Sequence, residues 1–183
     1  KPLMKELLNK THRQIFCYNK DIGHLFVSNL NARIMNENGG YYVRTNSLGF
    51  RSDVEFKEKK GDKPRILFFG DSNTAADGVS NNERFSELVG KHFNAEVYNF
   101  ALSGSGTDQQ YLIRQKYAQK IEADLIVFGI LVDNIERNKV AYRETINPYT
   151  KKNVLTPKPY FKLEKGKLKL SNSPTPRIKS NLK

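Results

Sequence analysis

One short segment of the chain places a serine where nucleophilic chemistry would need it. Gly70-Asp71-Ser72-Asn73 directly follows the apolar run Ile66–Phe69 and precedes a predicted helix. A serine hydroxyl is a weak nucleophile until a base takes its proton and donors stabilise the oxyanion that forms. The backbone N–H of Ser72 can point at a reacting carbonyl oxygen from this turn. We therefore predict Ser72 as the nucleophile, with Asp71 and Asn73 shaping the turn.

Two further segments can supply oxyanion donors. Gly104 lies in the glycine-rich turn Ser103-Gly-Ser-Gly106, and a residue without Cβ lets a substrate come close to its N–H. Asn134 follows the apolar run Leu125–Val132 and can add a side-chain amide. The predicted oxyanion hole is thus the N–H of Ser72, the N–H of Gly104 and the amide of Asn134. Each such donor is worth roughly 3–4 kcal/mol of transition-state stabilisation.

The elements around these segments predict an α/β fold with a parallel sheet. Strands are predicted at Arg65–Phe69, Glu96–Phe100 and Asp124–Val132. Capping-box spacing at Ser80–Glu83 and at Thr107–Gln110 predicts a helix in each connection, the second running to about Ile121. Short strand–helix–strand connections imply right-handed crossovers. All three candidate segments then fall at the carboxyl ends of strands, where ligands bind in such sheets.

Apolar periodicity also predicts which surfaces are buried. Phe85, Leu88, Val89, His92 and Phe93 follow the rhythm of a helix buried on one side. The strand at 124–132 is almost wholly apolar, which predicts that both of its faces are covered.

The remainder of the chain is predicted to form one domain with this core. Residues 1–64 are a lead-in, 65–143 the core, and 144–183 a loop, a hairpin and a tail. Leu3, Met4, Leu7 and Leu8 predict a short amphipathic helix, and 41–44 a short strand. Residues 145–160 are predicted as a loop. Tyr160–Leu170 alternates around Lys165-Gly166, which predicts a β-hairpin with a two-residue turn.

Composition limits the classes of partner that we expect. It does not decide the compartment, for which we favour the cytoplasm. The formal net charge is +12, which fits either an anionic partner or a surface of solvated lysines, and the basic residues are not interleaved with aromatics as nucleic-acid binding would require. Residues 1–20 lack the apolar region of a signal peptide. We expect no membrane span, because no stretch approaches roughly 20 apolar residues. The single Cys17 is predicted as a small buried hydrophobe.

The three segments together resemble the sequence blocks of the SGNH (GDSL-type) hydrolase family. Ile66–Thr74 looks like its first block, Tyr98–Gln109 its second and Val127–Asn138 its third. Asn46–Arg51 resembles the lead-in of members associated with surface polysaccharide modification. The resemblance covers residues 41–143 and implies a three-layer α/β/α, flavodoxin-like fold. It also implies a serine esterase or acyl transferase acting on acylated carbohydrate or a small ester, without metal or organic cofactor.

Two departures from the family pattern bear on catalysis. The third block usually reads Asn-Asp, whereas this chain reads Asp133-Asn134, so either Asn134 donates from a shifted turn or Asp133 takes the donor position and weakens the hole. The family's C-terminal Asp-x-x-His block has no counterpart after His92. Asp21-Ile-Gly-His24 has that spacing, but it precedes the nucleophile. We predict His92 as structural and His12 as a surface residue.

The absent histidine leaves two functions open. In the first, the sequence is a fragment of an enzyme that forms an acyl-Ser72 intermediate. In the second, the chain is a degenerate member that binds glycan or protein without turnover. Hydrolysis and transfer are not distinguished, nor is the oligomeric state. Nucleic-acid binding through the net charge is a third hypothesis, which we do not favour.

Overall fold

The structure is a computed structural model that describes residues 15–36, 39–146 and 153–177 of the chain. The predicted helix at Leu3–Leu8 lies outside these ranges. The strands are β1 (Phe16–Asn19), β2 (Gly23–Phe26), β3 (Asn31–Ile34), β4 (Tyr41–Arg44), β5 (Arg65–Gly70), β6 (Glu96–Asn99), β7 (Leu125–Gly129), β8 (Tyr142–Ile146), β9 (Asn153–Pro157), β10 (Tyr160–Glu164) and β11 (Lys167–Ser171). The α-helical segments are α1 (Ser72–Ala75), α2 (Phe85–His92), α3 (Thr107–Tyr117) and α4 (Ile135–Asn138).

A parallel sheet of order β6-β5-β7 forms the centre of this mixed α/β structure. Leu67 of β5 pairs with Tyr98 of β6 on one side and with Ile126 of β7 on the other. Helix α2 connects β5 to β6, and α3 connects β6 to β7. The predicted parallel sheet is confirmed. All three strands point the same way, so their carboxyl ends lie at one edge.

Antiparallel hairpins account for the other strands. They pair β1 with β2, β3 with β4, β8 with β9 and β10 with β11. The predicted C-terminal hairpin is confirmed. Lys165 and Gly166 both have positive φ, at 50° and 76°, as a two-residue type I′ turn requires.

The loop predicted over 145–160 is wrong in part, because β9 pairs with β8 there. Val154-Leu155-Thr156 carries two β-branched residues, which favour a strand. Pro157 falls at the end of β9, where its missing N–H does not break the ladder. This hairpin brings Arg143 to the candidate site.

The hydrophobic core lies between β5 and the lead-in. Every residue of β5 is buried, and Leu67 and Phe69 are fully enclosed. The cover comes from β2 and from the segment before β5, which contribute Ile22, Leu25, Phe26 and Phe50. Phe69 stacks on Phe100 with ring centroids 5.2 Å apart.

Helix α2 is buried on a face other than the predicted one. Phe85, Leu88 and Phe93 are exposed, whereas Ser86 and Gly90 are buried. A Cβ on Gly90 would overlap the side chain of Val97 in β6, so the helix packs through its smallest residues. The Ser80–Glu83 capping box forms, but it caps a 3₁₀ turn at Asn81–Glu83. The close approach of the α2 backbone to β6, and not the apolar periodicity, therefore decides which face of the helix is buried.

Strand β7 also differs from its prediction. It spans 125–129, and its side chains are exposed or half-exposed, with Leu125, Ile126 and Phe128 each at least 40% exposed. Within the described residues, no layer covers this strand as β5 is covered. In the same part of the chain, no helix is long and apolar enough to cross a membrane.

Candidate functional site

The nucleophile turn is built tightly at the end of β5. A Cβ on Gly70 would overlap Thr74, so only glycine lets α1 begin this close to the strand. Asp71 caps α1 by accepting the N–H of Asn73 at 2.9 Å. Ser72 is half-buried, and among the described residues its hydroxyl has no hydrogen-bond partner. Ser72 therefore stands at the N-terminus of a short helical turn with its hydroxyl uncommitted.

Arg51 fixes the loop that follows Ser72. Its guanidinium is buried and donates to the carbonyls of Ala75, Ala76 and Val79 at 2.7–3.0 Å. Burial lowers the pKa of Arg51 to about 10, so it remains charged at neutral pH. A charged donor to three carbonyls stabilises the loop more than neutral hydrogen bonds would. The segment Asn46–Arg51 thus has a physical role, because its last residue, Arg51, holds the backbone that follows Ser72.

Asn134 reaches the nucleophile turn from the end of β7. It is buried, and its Nδ2 donates to Asp71 Oδ2 at 2.6 Å. An amide nitrogen carries two hydrogens, so one is left to donate elsewhere. Asp133 is exposed. Of the two residues, the structure brings Asn134 to the turn and not Asp133.

The loop after β6 joins the same turn. The carbonyl of Gly70 accepts the N–H of Leu102 at 3.0 Å and the hydroxyl of Ser105 at 3.1 Å. Asn99 donates to the carbonyl of Thr74 at 2.9 Å. Segments from all three strand ends therefore meet around residues 70–74, as the topology predicted.

Gly104 has a backbone that suits a donor role. Its φ is +75°, and a Cβ there would overlap the guanidinium of Arg143. Arg143 donates to the carbonyl of Ser103 at 3.1 Å. Because a trans peptide places its C=O and N–H on opposite sides, this bond turns the Gly104 N–H away from the guanidinium. That N–H has no acceptor among the described residues.

His24 lies behind this loop and is already engaged. Its Nε2 is 2.8 Å from Arg143 Nη1 and 3.0 Å from the Ser103 carbonyl. A guanidinium nitrogen only donates and a carbonyl oxygen only accepts, so Nε2 either accepts from Arg143 or donates to Ser103, according to the tautomer. Burial, and then the charge of Arg143, lowers the pKa of His24 to about 4. His24 is therefore a neutral structural group whose Nε2 is engaged in either tautomer.

The spacing Asp21-x-x-His24 does not produce a dyad. Asp21 pairs with Lys116 at 2.8 Å, on the side of α3. His92 is exposed on α2 and packs edge-on against Phe93. His12 lies outside the described residues. Neither described histidine is arranged as a base toward Ser72.

Asp77 is a carboxylate near the site that sequence reasoning missed. Its Oδ1 accepts the hydroxyl of Ser103 at 2.7 Å. Desolvation raises its pKa, opposed by that hydrogen bond and by the charges of Arg51 and Arg143. Its position five residues after Ser72 gave no motif, because the contact depends on how two loops fold together.

A shallow pocket of about 380 Å³ opens beside Gly104. Its lining is charged, and Arg137 and Arg143 lie on the side of the glycine turn. The residues that line it are Gly104, Glu136, Arg137, Val140, Tyr142, Arg143, Glu144 and Lys158. Lys158 is buried in an ion pair with Asp108 at the start of α3. The sequence indicated only Gly104 of this set.

No model of a protein family matches the chain, and no curated protein matches it either. Function therefore has to be inferred from the chemistry of the site.

Proposed function

We propose that the chain carries the nucleophile-bearing half of an SGNH-type serine ester hydrolase or acyl transferase. The observation that supports it is the meeting of Ser72, the Gly104 turn and Asn134 at one sheet edge. An uncommitted hydroxyl and an unoccupied glycine N–H, on two loops that contact each other, are groups that acyl transfer needs.

The reaction would proceed through an acyl-serine. Ser72 Oγ attacks the ester carbonyl while a base takes its proton, and the oxyanion accepts hydrogen bonds from Ser72 N–H, Gly104 N–H and Asn134. The intermediate collapses, the C–O bond breaks, and the leaving alcohol takes the proton. Water then releases the acid, or a sugar hydroxyl accepts the acyl group. Acylated carbohydrate is the proposed substrate class, on the resemblance alone.

We assign the base to neither His24 nor His92, the two histidines that the structure describes. The engaged Nε2 of His24 and the exposed position of His92 support this assignment. A catalytically degenerate binding module is the second candidate. It is favoured by the same lack of a base among the described residues.

Chemical rescue can separate the two candidates. The chain is incubated with p-nitrophenyl acetate, with and without imidazole, and acetylation is followed by intact mass and peptide mapping. Imidazole can act as the base, so we expect imidazole-dependent acetylation at Ser72. Ser72→Ala should abolish that product. Ser103→Ala is the matched control and should retain it, because the Ser103 hydroxyl is committed to Asp77.

Two results would count against the enzyme. Acetylation spread over lysines and unchanged by Ser72→Ala would remove Ser72 as nucleophile. No acetylation at any imidazole concentration, together with glycan binding, would favour the binding module.

A further inference from the structure

Two arginines form hydrogen bonds with the backbone on either side of Gly104. Arg143, from β8, donates to the Ser103 carbonyl, and Arg137, from α4, donates to the Ser105 carbonyl at 3.1 Å. Each bond uses one of the five guanidinium donors. Both side chains also line the pocket beside Gly104. The pocket wall nearest the predicted oxyanion donor is therefore cationic.

Among the described residues, Arg143 has no carboxylate in direct ion-pair contact. It is half-buried, and no carboxylate among the described residues lies within ion-pair distance of it. Burial lowers its pKa, the nearby charge of Arg137 lowers it further, and the charge of Asp77 acts in the opposite direction. The nearest carboxylate of Arg137 is Asp71, at 4.0 Å, which already accepts from Asn134. Holding two like charges together with only distant carboxylates to offset them costs free energy. A ligand anion would recover that cost.

The acids of the same pocket do not neutralise the arginines. Glu136 is exposed and pairs with Lys139 at 2.6 Å. Glu144 accepts from Asn153. Both carboxylates line the pocket, but among the described residues neither forms an ion pair with Arg137 or Arg143. The two acids of the pocket thus have partners other than the arginines.

We infer that Arg137 and Arg143 bind an anionic group of the substrate, a carboxylate or a phosphate ester on an acidic saccharide, next to the acyl group at Ser72. Planar guanidinium forks match both anions in two-point hydrogen bonds. A pocket of about 380 Å³ lies in the size range of small-ligand sites. The inference rests on the proposed function for what lies at Ser72, but anion binding itself needs no turnover.

Equilibrium binding tests the site without requiring catalysis. The chain is titrated calorimetrically with trigalacturonate, with the neutral galactotriose, and with galactose 6-phosphate. We expect trigalacturonate or the phosphate to bind at least tenfold more tightly than galactotriose. Whichever anion binds more tightly identifies its source as carboxylate or phosphate. Arg143→Gln and Arg137→Gln should each weaken anion binding about tenfold and leave galactotriose unchanged.

A matched variant separates a site from general charge attraction. Lys91→Gln removes the same charge from an exposed position on α2. Its anion affinity should stay within twofold of the unsubstituted chain. Arg137→Gln, on a half-exposed helix turn, keeps the test valid if Arg143→Gln unfolds.

Three results would overturn the inference. They are equal affinity for anionic and neutral sugars, an equal loss in Lys91→Gln, or tighter binding to single-stranded DNA that all three variants weaken alike. Imidazole-dependent acetylation of Ser72 can succeed or fail independently of each of these results. A failed anion site is therefore distinguishable from a failed nucleophile.

Discussion

The two strands on either side of β5 differ in composition, and the more apolar one is the more exposed. β6 places Tyr98 and Asn99 in the core, under the cover of the lead-in, with Ser86 and Gly90 of α2 packed beside it. β7 carries Leu125–Gly129 and is exposed or half-exposed throughout. An apolar strand is buried only where another layer is available to cover it. The β6 side holds the fold together, and the β7 side is where a further layer would add most.

The largest expected effect comes from replacing each of two paired phenylalanines with alanine, one at a time. Phe69 of β5 and Phe128 of β7 are register partners whose rings stack 4.9 Å apart, yet they are 0% and 40% exposed. Phe69→Ala should lower the free energy of unfolding by about 4 kcal/mol, because it empties a closed core site. Phe128→Ala should cost about 1 kcal/mol, because the ring is only partly buried. Urea denaturation measures both. Equal losses would show that β7 is as well covered as β5.

A second test concerns the buried histidine on the covered side. The pKa of His24 is lowered to about 4 from an ordinary value of 6.5. The unfolded chain then binds a proton at a higher pH than the folded chain. The stability that neutral His24 contributes is fully present above pH 6.5 and is lost as the pH falls toward 4. The loss by pH 4 is about 3 kcal/mol.

Comparison with His24→Gln isolates this contribution. Desolvation raises the pKa of Asp77 and of Asp108, which acts in the opposite direction as the pH falls. Their effect is common to both proteins and cancels in the difference between them. The unsubstituted chain should therefore lose about 3 kcal/mol more than His24→Gln between pH 7 and pH 4. His92→Gln, at an exposed position, should follow the unsubstituted chain. Parallel pH profiles for His24→Gln and the unsubstituted chain would mean that His24 is accessible to protons when folded.

Much of the fold was predictable from local patterns. Short local segments predict the strand that begins at Arg65 and the hairpin turn at Lys165-Gly166. The parallel topology follows from the alternation of strands β5, β6 and β7 with helices. Burial was less predictable. Helix α2 exposes Phe85 and Leu88 because Gly90 allows closer packing against β6, a gain that no apolar periodicity records.

The candidate site was likewise predictable in part. Ser72, Gly104 and Asn134 could be placed together, because parallel strands bring their carboxyl ends to one edge. Arg143 could not, since it is 39 positions from Gly104 and reaches it through the β8–β9 hairpin, half of which was predicted as loop. The occupied Nε2 of His24 depends on that same arginine. Long-range contacts of this kind leave no signal in the spacing of either partner.

The smallest expected effect comes from a substitution next to the exposed strand β7. Ile130, just beyond β7, is 64% exposed, whereas Ile113 of α3 is fully enclosed. Ile130→Lys should change the free energy of unfolding by less than about 0.5 kcal/mol, because the new charge stays in water. It should also lower the binding of a hydrophobic dye, since it interrupts a contiguous apolar patch. The matched Ile113→Lys should unfold the chain, because it buries an unpaired charge. A loss above about 2 kcal/mol in Ile130→Lys would place a covering layer on β7 within this chain. The contrast between a covered β6 and an exposed β7 would then not hold.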